Sequence, residues 1–183
     1  MSATSSPTRV VSGTAAMDVA RAESQFDSAE LFRDLAPAVL GYLRAQRARD
    51  PEDLLGEVFV HVVRDVHRFR GDPAALRRWV FTVAHNRLVD EGRGIGRRPP
   101  PIPVDPADLA SVVSTWNVLW PEPDPELVSA LGDLTQEQRD VVVLRFVADL
   151  SLQDVAGIVG RRQGAVKALQ RRALARLAAQ LSD

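Results

Sequence analysis

Leu31, Leu35, Val39 and Leu43 stand one helical turn apart, Leu54, Val58, Val62 and Val66 repeat the interval, and Leu76, Val80 and Val83 take it up again. Apolar residues at that interval fall on one stripe of an α-helix, whereas a half-buried strand would need them at every second position. Strand signals are absent throughout, so the spacing predicts an all-α fold.

Helix-start signals fall where the stripes begin. In Asp50-Pro51-Glu52-Asp53 a capping-type Asp precedes a Pro in the first helical position, and acids fill the turn where the helix dipole is positive. A third helix is predicted from Pro73 to Gly92, its stripe continuing to Arg87 or Leu88, while Pro37 inside the first stripe predicts a kink or a later start. Residues 1–25, rich in Ser, Thr and Ala with little periodic apolar content, cannot offset their ordering entropy and read as a disordered tail.

Residues 99–125 interrupt the helical pattern with "PPPIPVDP" at one end and "WPEPDP" at the other. They hold Asp105, Asp108, Glu122 and Asp124 without a Lys or Arg, the composition of a flexible acidic linker. Within it Leu109, Val112, Val113, Trp116, Leu119 and Trp120 keep helical spacing, so a short amphipathic helix is predicted to dock on one of the chain's own domains or on a partner. The expected organisation is therefore two small helical domains, 26–98 and 126–183, on either side of the linker.

The second domain carries two capping boxes, Thr135 with Gln138 and Ser151 with Asp154. Gly160 closes the helix that Ser151 opens, and a longer basic helix follows, which together make a helix-turn-helix from Ser151 to Arg171. Val155, Ala156 and Val159 on one helix, and Val166, Leu169, Ala173 and Leu177 on the other, fall on the inward faces. The opposite face carries Arg161, Arg162, Gln163, Ala165, Lys167, Gln170 and Arg171.

Charge supports a nucleic-acid partner for that face. The stretch from Val159 to Leu177 contains six basic residues and no acid, although the whole chain is formally −1; taking those six from 23 leaves 17 basic against 24 acidic residues, a formal −7 elsewhere. A basic run alone is most often a solvated helix face. Set on the second helix of a helix-turn-helix, it points to duplex DNA, with Lys and Arg neutralising phosphates and Arg and Gln able to read base edges; a structural three-helix bundle is the remaining alternative. A second basic surface lies between Arg64 and Arg98, where nine Arg face four acids.

The chain has no cysteine, so a disulfide framework and thiolate metal sites are excluded, and its three histidines lack companion ligands. No catalytic residue, metal or cofactor is assigned, because no nucleophile–base pair or phosphate-binding glycine loop is found. The absence of a run of roughly 20 apolar residues predicts no membrane insertion and, with no signal pattern, a cytoplasmic protein.

The stretch from Asp50 to Arg98, "DPEDLLGEVFVHVVRDVHRFRGDPAALRRWVFTVAHNRLVDEGRGIGRR", resembles region 2 of bacterial sigma factors of the extracytoplasmic-function group in the sigma-70 family. "LTQEQRDVVVLRFVADLSLQDVAGIVGRRQGAVKALQRRALARL" resembles their region 4. The resemblance implies a non-catalytic protein that binds core RNA polymerase through the β′ clamp helices and the β flap and directs promoter-specific initiation. It implies polymerase docking by Asp53, Leu54, Glu57, Val58 and Phe59, an acidic-apolar face on which this chain has Gly56 where the family commonly has Gln. Capture of the single-stranded −10 element would fall to Arg68, Arg70, Gly71, Asp72, Arg77, Arg78, Asn86 and Arg87, and the duplex −35 element to the helix-turn-helix. Trp79 is expected in core packing rather than as a melting wedge. An anti-sigma factor is a further implied partner. Two rival readings stay open on the sequence: a free-standing helix-turn-helix regulator, and a sigma-mimicking module that sequesters an anti-sigma factor.

Overall fold

The structure, a computed structural model, describes residues 26–94 and 124–181. The N-terminal tail and the linker segment with Asp105, Asp108, Trp116, Trp120 and Glu122 lie outside the described residues.

Among the described residues there are seven α-helices and no strand: α1 (Ser28–Ala45), α2 (Pro51–Asp65), α3 (Pro73–Gly92), α4 (Pro125–Asp133), α5 (Gln136–Phe146), α6 (Leu152–Ile158) and α7 (Gln163–Leu181), with a single 3-10 turn at Val66–Arg68. Asp27, Asp50, Asp72 and Asp124 each accept a backbone N–H from the first turn of the helix they precede. Thr135 and Ser151 close full capping boxes on α5 and α6. Such a cap contributes about 1 kcal/mol, so six of the seven starts are locally encoded.

α1 runs through Pro37 and does not start after it. The missing Pro N–H costs one helical bond, and burial of Leu35, Ala36, Val39 and Leu40 on either side offsets that loss. The helix ends with Arg47 at φ 60, from which N–H groups turn back to the Arg44 and Leu43 carbonyls at 2.9 and 3.1 Å. Gly160, at φ 64, plays the same part at the end of α6, where the Arg161 N–H reaches the Ala156 carbonyl at 3.0 Å. Here the residue is suited to the left-handed conformation; at Arg47 it is not.

The first three helices pack around Tyr42, Leu43, Leu55, Val58, Val62, Val80 and Phe81, all fully buried. α5, α6 and α7 pack around Val141, Val143, Leu144, Val155 and Val166, with α4 laid against α7. The two groups are in contact: α1 lies against α4 and α5, and α3 against α6, so the buried apolar side chains form a single cluster.

Polar groups line this junction. The Tyr42 hydroxyl lies 2.9 Å from His85 Nδ1 in a buried pair joining α1 and α3. Gln136 Nε2 donates to Gln46 Oε1 and to Asp140 Oδ1, both at 2.9 Å. Burial pushes the Tyr42 hydroxyl well above its usual range, with the charge of Asp140 adding to the effect, so it keeps its proton. Burial also holds the His85 imidazole below its usual range, against the opposing pull of Asp140, and burial raises the Asp140 carboxyl.

Candidate nucleic-acid and polymerase interface

The helix-turn-helix is built as its sequence dictates. Val155 and Ala156 of α6 and Val166, Leu169, Ala173 and Leu177 of α7 are buried, and Val159 in the turn is half-buried. That arrangement rotates the opposite side of α7 to solvent: Arg162, Gln163, Ala165, Lys167 and Arg171 are exposed, and Gln170 is half-buried. Lys167, Gln170 and Arg171 border a shallow cleft of about 520 Å³ whose floor includes Leu152 and Leu174. Arg162 precedes α7, and its carbonyl accepts the Ala165 and Val166 N–H groups. Arg161 forms an ion pair with Glu137 at the start of α5, which draws it to the edge of the basic face.

On α2 the five polymerase-facing candidates separate. Asp53 is exposed and Glu57 half-buried, on the outer side of the helix, with exposed Gly56 between them. Leu54, Val58 and Phe59 point into the core at 6%, 0% and 4% exposure, and Phe59 meets Phe32 edge-on at 4.5 Å. The expected acidic-apolar surface is therefore an acidic one, because the apolar stripe of α2 is consumed by α1 and α3. A Cβ at Gly56 would meet nothing within 4 Å, so the glycine leaves a bare patch between the two carboxylates.

The −10 candidates lie along α3 and the loop before it. Asp72 is the N-cap of α3, accepting the Ala75 N–H at 2.7 Å, and Arg70 donates to the His67 and Phe69 carbonyls at 2.8 and 2.9 Å, tying down the loop. Gly71 sits against Phe69, and an added Cβ would approach its ring to 3.0 Å, so a larger residue would have to displace the ring by a few tenths of an ångström. Phe69 in turn stacks on Trp79 at 5.4 Å, which places Trp79 in partly buried packing, as expected. Arg68 and Asn86 are exposed, and Arg87 is half-buried. Arg77 and Arg78 face the second half of the molecule. Arg77 Nε donates to the Ala148 carbonyl at 2.6 Å with its guanidinium 5.6 Å from the Phe81 ring centre, and Arg78 Nη1 meets Asp154 Oδ1 at 3.0 Å.

Asp154 thus serves two partners, Ser151 within its capping box and Arg78 across the junction. Burial raises its carboxyl, but the hydrogen bonds from Ser151 and Arg78 outweigh that and hold it below its ordinary value of 3.8. An acid depressed by folding adds stability above its unfolded value, and this is lost as pH falls through the folded value. The melting-temperature advantage of the parent over Asp154→Asn should be constant above about pH 5 and shrink below about pH 4. A difference that stays flat to about pH 3 would contradict the assignment.

The sequence reading missed His85, Gln46, Asp140 and the buried Arg139, all of which lie at or beside the junction of the two halves. His85 could have been found: it follows Arg77 and Phe81 at one-turn spacing on α3. Among the described residues no helix is long and apolar enough to cross a membrane, and no group of His, Cys, Asp or Glu is placed to hold a metal ion.

A capped helix-turn-helix with an exposed basic face is the arrangement that seats a recognition helix in duplex DNA, and here it follows a helical group that bears an acidic and an arginine-rich surface. Residues 31–98 match the family Sigma-70 region 2, and residues 130–179 match Sigma-70, region 4. The ECF RNA polymerase sigma factor RpoE of Cereibacter sphaeroides is 30% identical over 161 residues, covering 84% of this chain and 86% of that protein. ShbA of Streptomyces griseus is 29% identical, with 82% and 85% covered, whereas the match to BldN of Streptomyces coelicolor spans 54% of BldN. The fold is similar to that of sigma factor RpoE in its co-crystal structure with the anti-sigma factor NepR from Bartonella quintana, with TM-score 0.63, 20% identity, and 84% and 95% of the two chains covered. CnrH, in complex with the cytosolic domain of CnrY, gives TM-score 0.59 at 22% identity, covering 91% of this chain and 94% of that one. The chain belongs to the ECF RNA polymerase sigma factors of the sigma-70 family.

Proposed function

We propose that this chain is a non-catalytic, cytoplasmic initiation factor that binds core RNA polymerase, recognises duplex −35 DNA with residues 126–183, and captures and opens the −10 element with residues 26–98. The observation that carries the reading is the pairing, in one chain and in family order, of a region 2 match with a region 4 match whose basic helix face is exposed. A free-standing regulator would need only the second of these. A sigma-mimicking module that only sequesters an anti-sigma factor would have no use for Gln163 and Lys167 on an open recognition face.

Within that reading, Arg162 just before α7 and Gln163 and Lys167 in its first turns form the part that reaches base edges in helix-turn-helix proteins, and Arg171 lies one turn further along. Asp53 and Glu57 supply the polymerase contact from α2, and the β flap is engaged by the C-terminal half. Arg68, Asn86 and Arg87 form an accessible strand-binding surface, and Arg77 and Arg78 join it when they are not held by the second half. An anti-sigma factor is a partner by kinship with NepR-bound RpoE.

The test is to add the chain to core polymerase on genomic DNA and to map transcript 5′ ends. New starts sharing upstream sequence, reduced or redistributed by Gln163→Ala with Lys167→Ala, are the expected result. Unchanged starts, with tight operator binding by the chain alone, would establish the regulator reading instead.

A further inference from the structure

Phe26 stands just before the cap of α1 and far from Phe69 in sequence, yet the two rings meet, their centroids 6.1 Å apart and their planes tilted by 59°. Asp27 fixes the chain at that point, its side chain accepting the Ala29 N–H at 3.0 Å and its carbonyl the Leu31 N–H at 2.9 Å. Phe69 also stacks on Trp79 of α3, ring centroids 5.4 Å apart at 26°, and Gly71 lies against the edge of the same ring. The segment before α1, the loop before α3 and α3 itself therefore converge on one side chain. All three rings are half-buried.

The seat of that ring decides where the loop's charges lie. Phe69 has extended backbone, φ −67 and ψ 135, and side chains on either side of an extended residue point away from it. An inward Phe69 thus turns Arg68 and Arg70 outward, and both are exposed. Arg70 is tied more closely still, because its Nη1 donates to the carbonyls of His67 and of Phe69 itself. If the ring shifts, both arginines move with it.

We propose that Phe26 is a positioning residue for strand capture: by closing the seat of the Phe69 ring it holds the loop before α3 in the conformation that presents Arg68 and Arg70 together. This role rests on the assignment of that loop to the −10 strand made above. An unbraced loop must be ordered by the DNA it binds, and ordering costs affinity. One aromatic contact is worth about a two- to tenfold shift in the seated population, and apparent affinity falls with that population. Phe26 touches no DNA in this scheme; it acts through Phe69.

The full chain carries the test, in three forms: parent, Phe26→Ala and Phe26→Tyr. A fluorescent mixed-sequence single-stranded 12-mer should bind Phe26→Ala about three- to tenfold more weakly than the parent, whereas a mixed-sequence duplex, held by α7, should bind both alike. Phe26→Tyr should restore strand binding, since it keeps the ring and its hydroxyl can reach water from a half-buried site. Trypsin reports on the loop without any DNA: cleavage after Arg68 and Arg70 should be at least about threefold faster in Phe26→Ala and parental in Phe26→Tyr. Unchanged strand binding or unchanged cleavage in Phe26→Ala overturns the proposal, as does an equal loss on strand and duplex or a failure of Phe26→Tyr to rescue. Arg68→Ala with Asn86→Ala separates the two layers of the reading. If that pair leaves 12-mer binding at the parental level, the −10 assignment has failed and the positioning role falls with it; if the pair weakens binding and Phe26→Ala does not, only the positioning role is lost.

Discussion

Replacing Phe81 by Ala is expected to lower the free energy of unfolding by about 3–5 kcal/mol, the range for removing a fully buried aromatic. Phe81 is 0% exposed and meets Tyr42 edge-on, ring centres 5.9 Å apart at 87°. The loss combines the transfer energy of the ring with a cavity that α1 and α3 cannot close, because Tyr42 is also held by His85. Urea unfolding should show a lower midpoint with little change in slope. Phe146→Ala is the control: Phe146 is 56% exposed, and its loss should alter stability by about 0.5 kcal/mol or less. A loss below about 1 kcal/mol at Phe81 would mean that α1 and α3 do not pack around its ring as described above.

Reversing the charges of Asp53 and Glu57 to Lys is expected to reduce association with core polymerase at least tenfold. Both lie on the outer side of α2, and like-charge juxtaposition at a docking surface costs several kcal/mol. The fold should survive, since Asp53 contributes to the helix dipole only about 0.3–1 kcal/mol and Asp50 still caps the helix. Pull-down of core with unchanged helicity separates the outcomes. Retention of core at parental affinity removes α2 from the polymerase interface.

Local physics made much of this legible in advance. The cap and proline at Asp50-Pro51, the glutamine that closes the Thr135 box, and the aspartate that closes the Ser151 box act within one turn, and each begins a helix where the sequence placed it. The limits of α3, Pro73 to Gly92, follow from the same signals. α4 was not anticipated, because Pro125 sits in a proline-rich stretch that reads as linker, although Asp124 caps it. Leu54, Val58 and Phe59 show the limit most clearly. Their spacing gives a stripe, but whether a stripe meets a partner protein or the chain's own core depends on which helices pack beside it, and sequence separation conceals that. Gln46 and Gln136 lie 90 positions apart and touch, which no window along the chain could show.

The junction between the halves is furnished with a hydroxyl, an imidazole, two amides and a carboxylate beside its apolar surfaces. Water can satisfy each of those polar groups once the surfaces part, so the hydration regained on separation offsets part of the free energy of parting. A joint of the same area lined only by leucine would be costlier to wet and slower to release. The mixture also makes poor fits unfavourable, because a shifted docking would break the Gln136–Gln46 bond and leave the Gln46 carbonyl oxygen without its donor. Gln46 and Gln136 thus fix one seating for the joint, and the hydration that its polar groups would regain lowers the cost of wetting it.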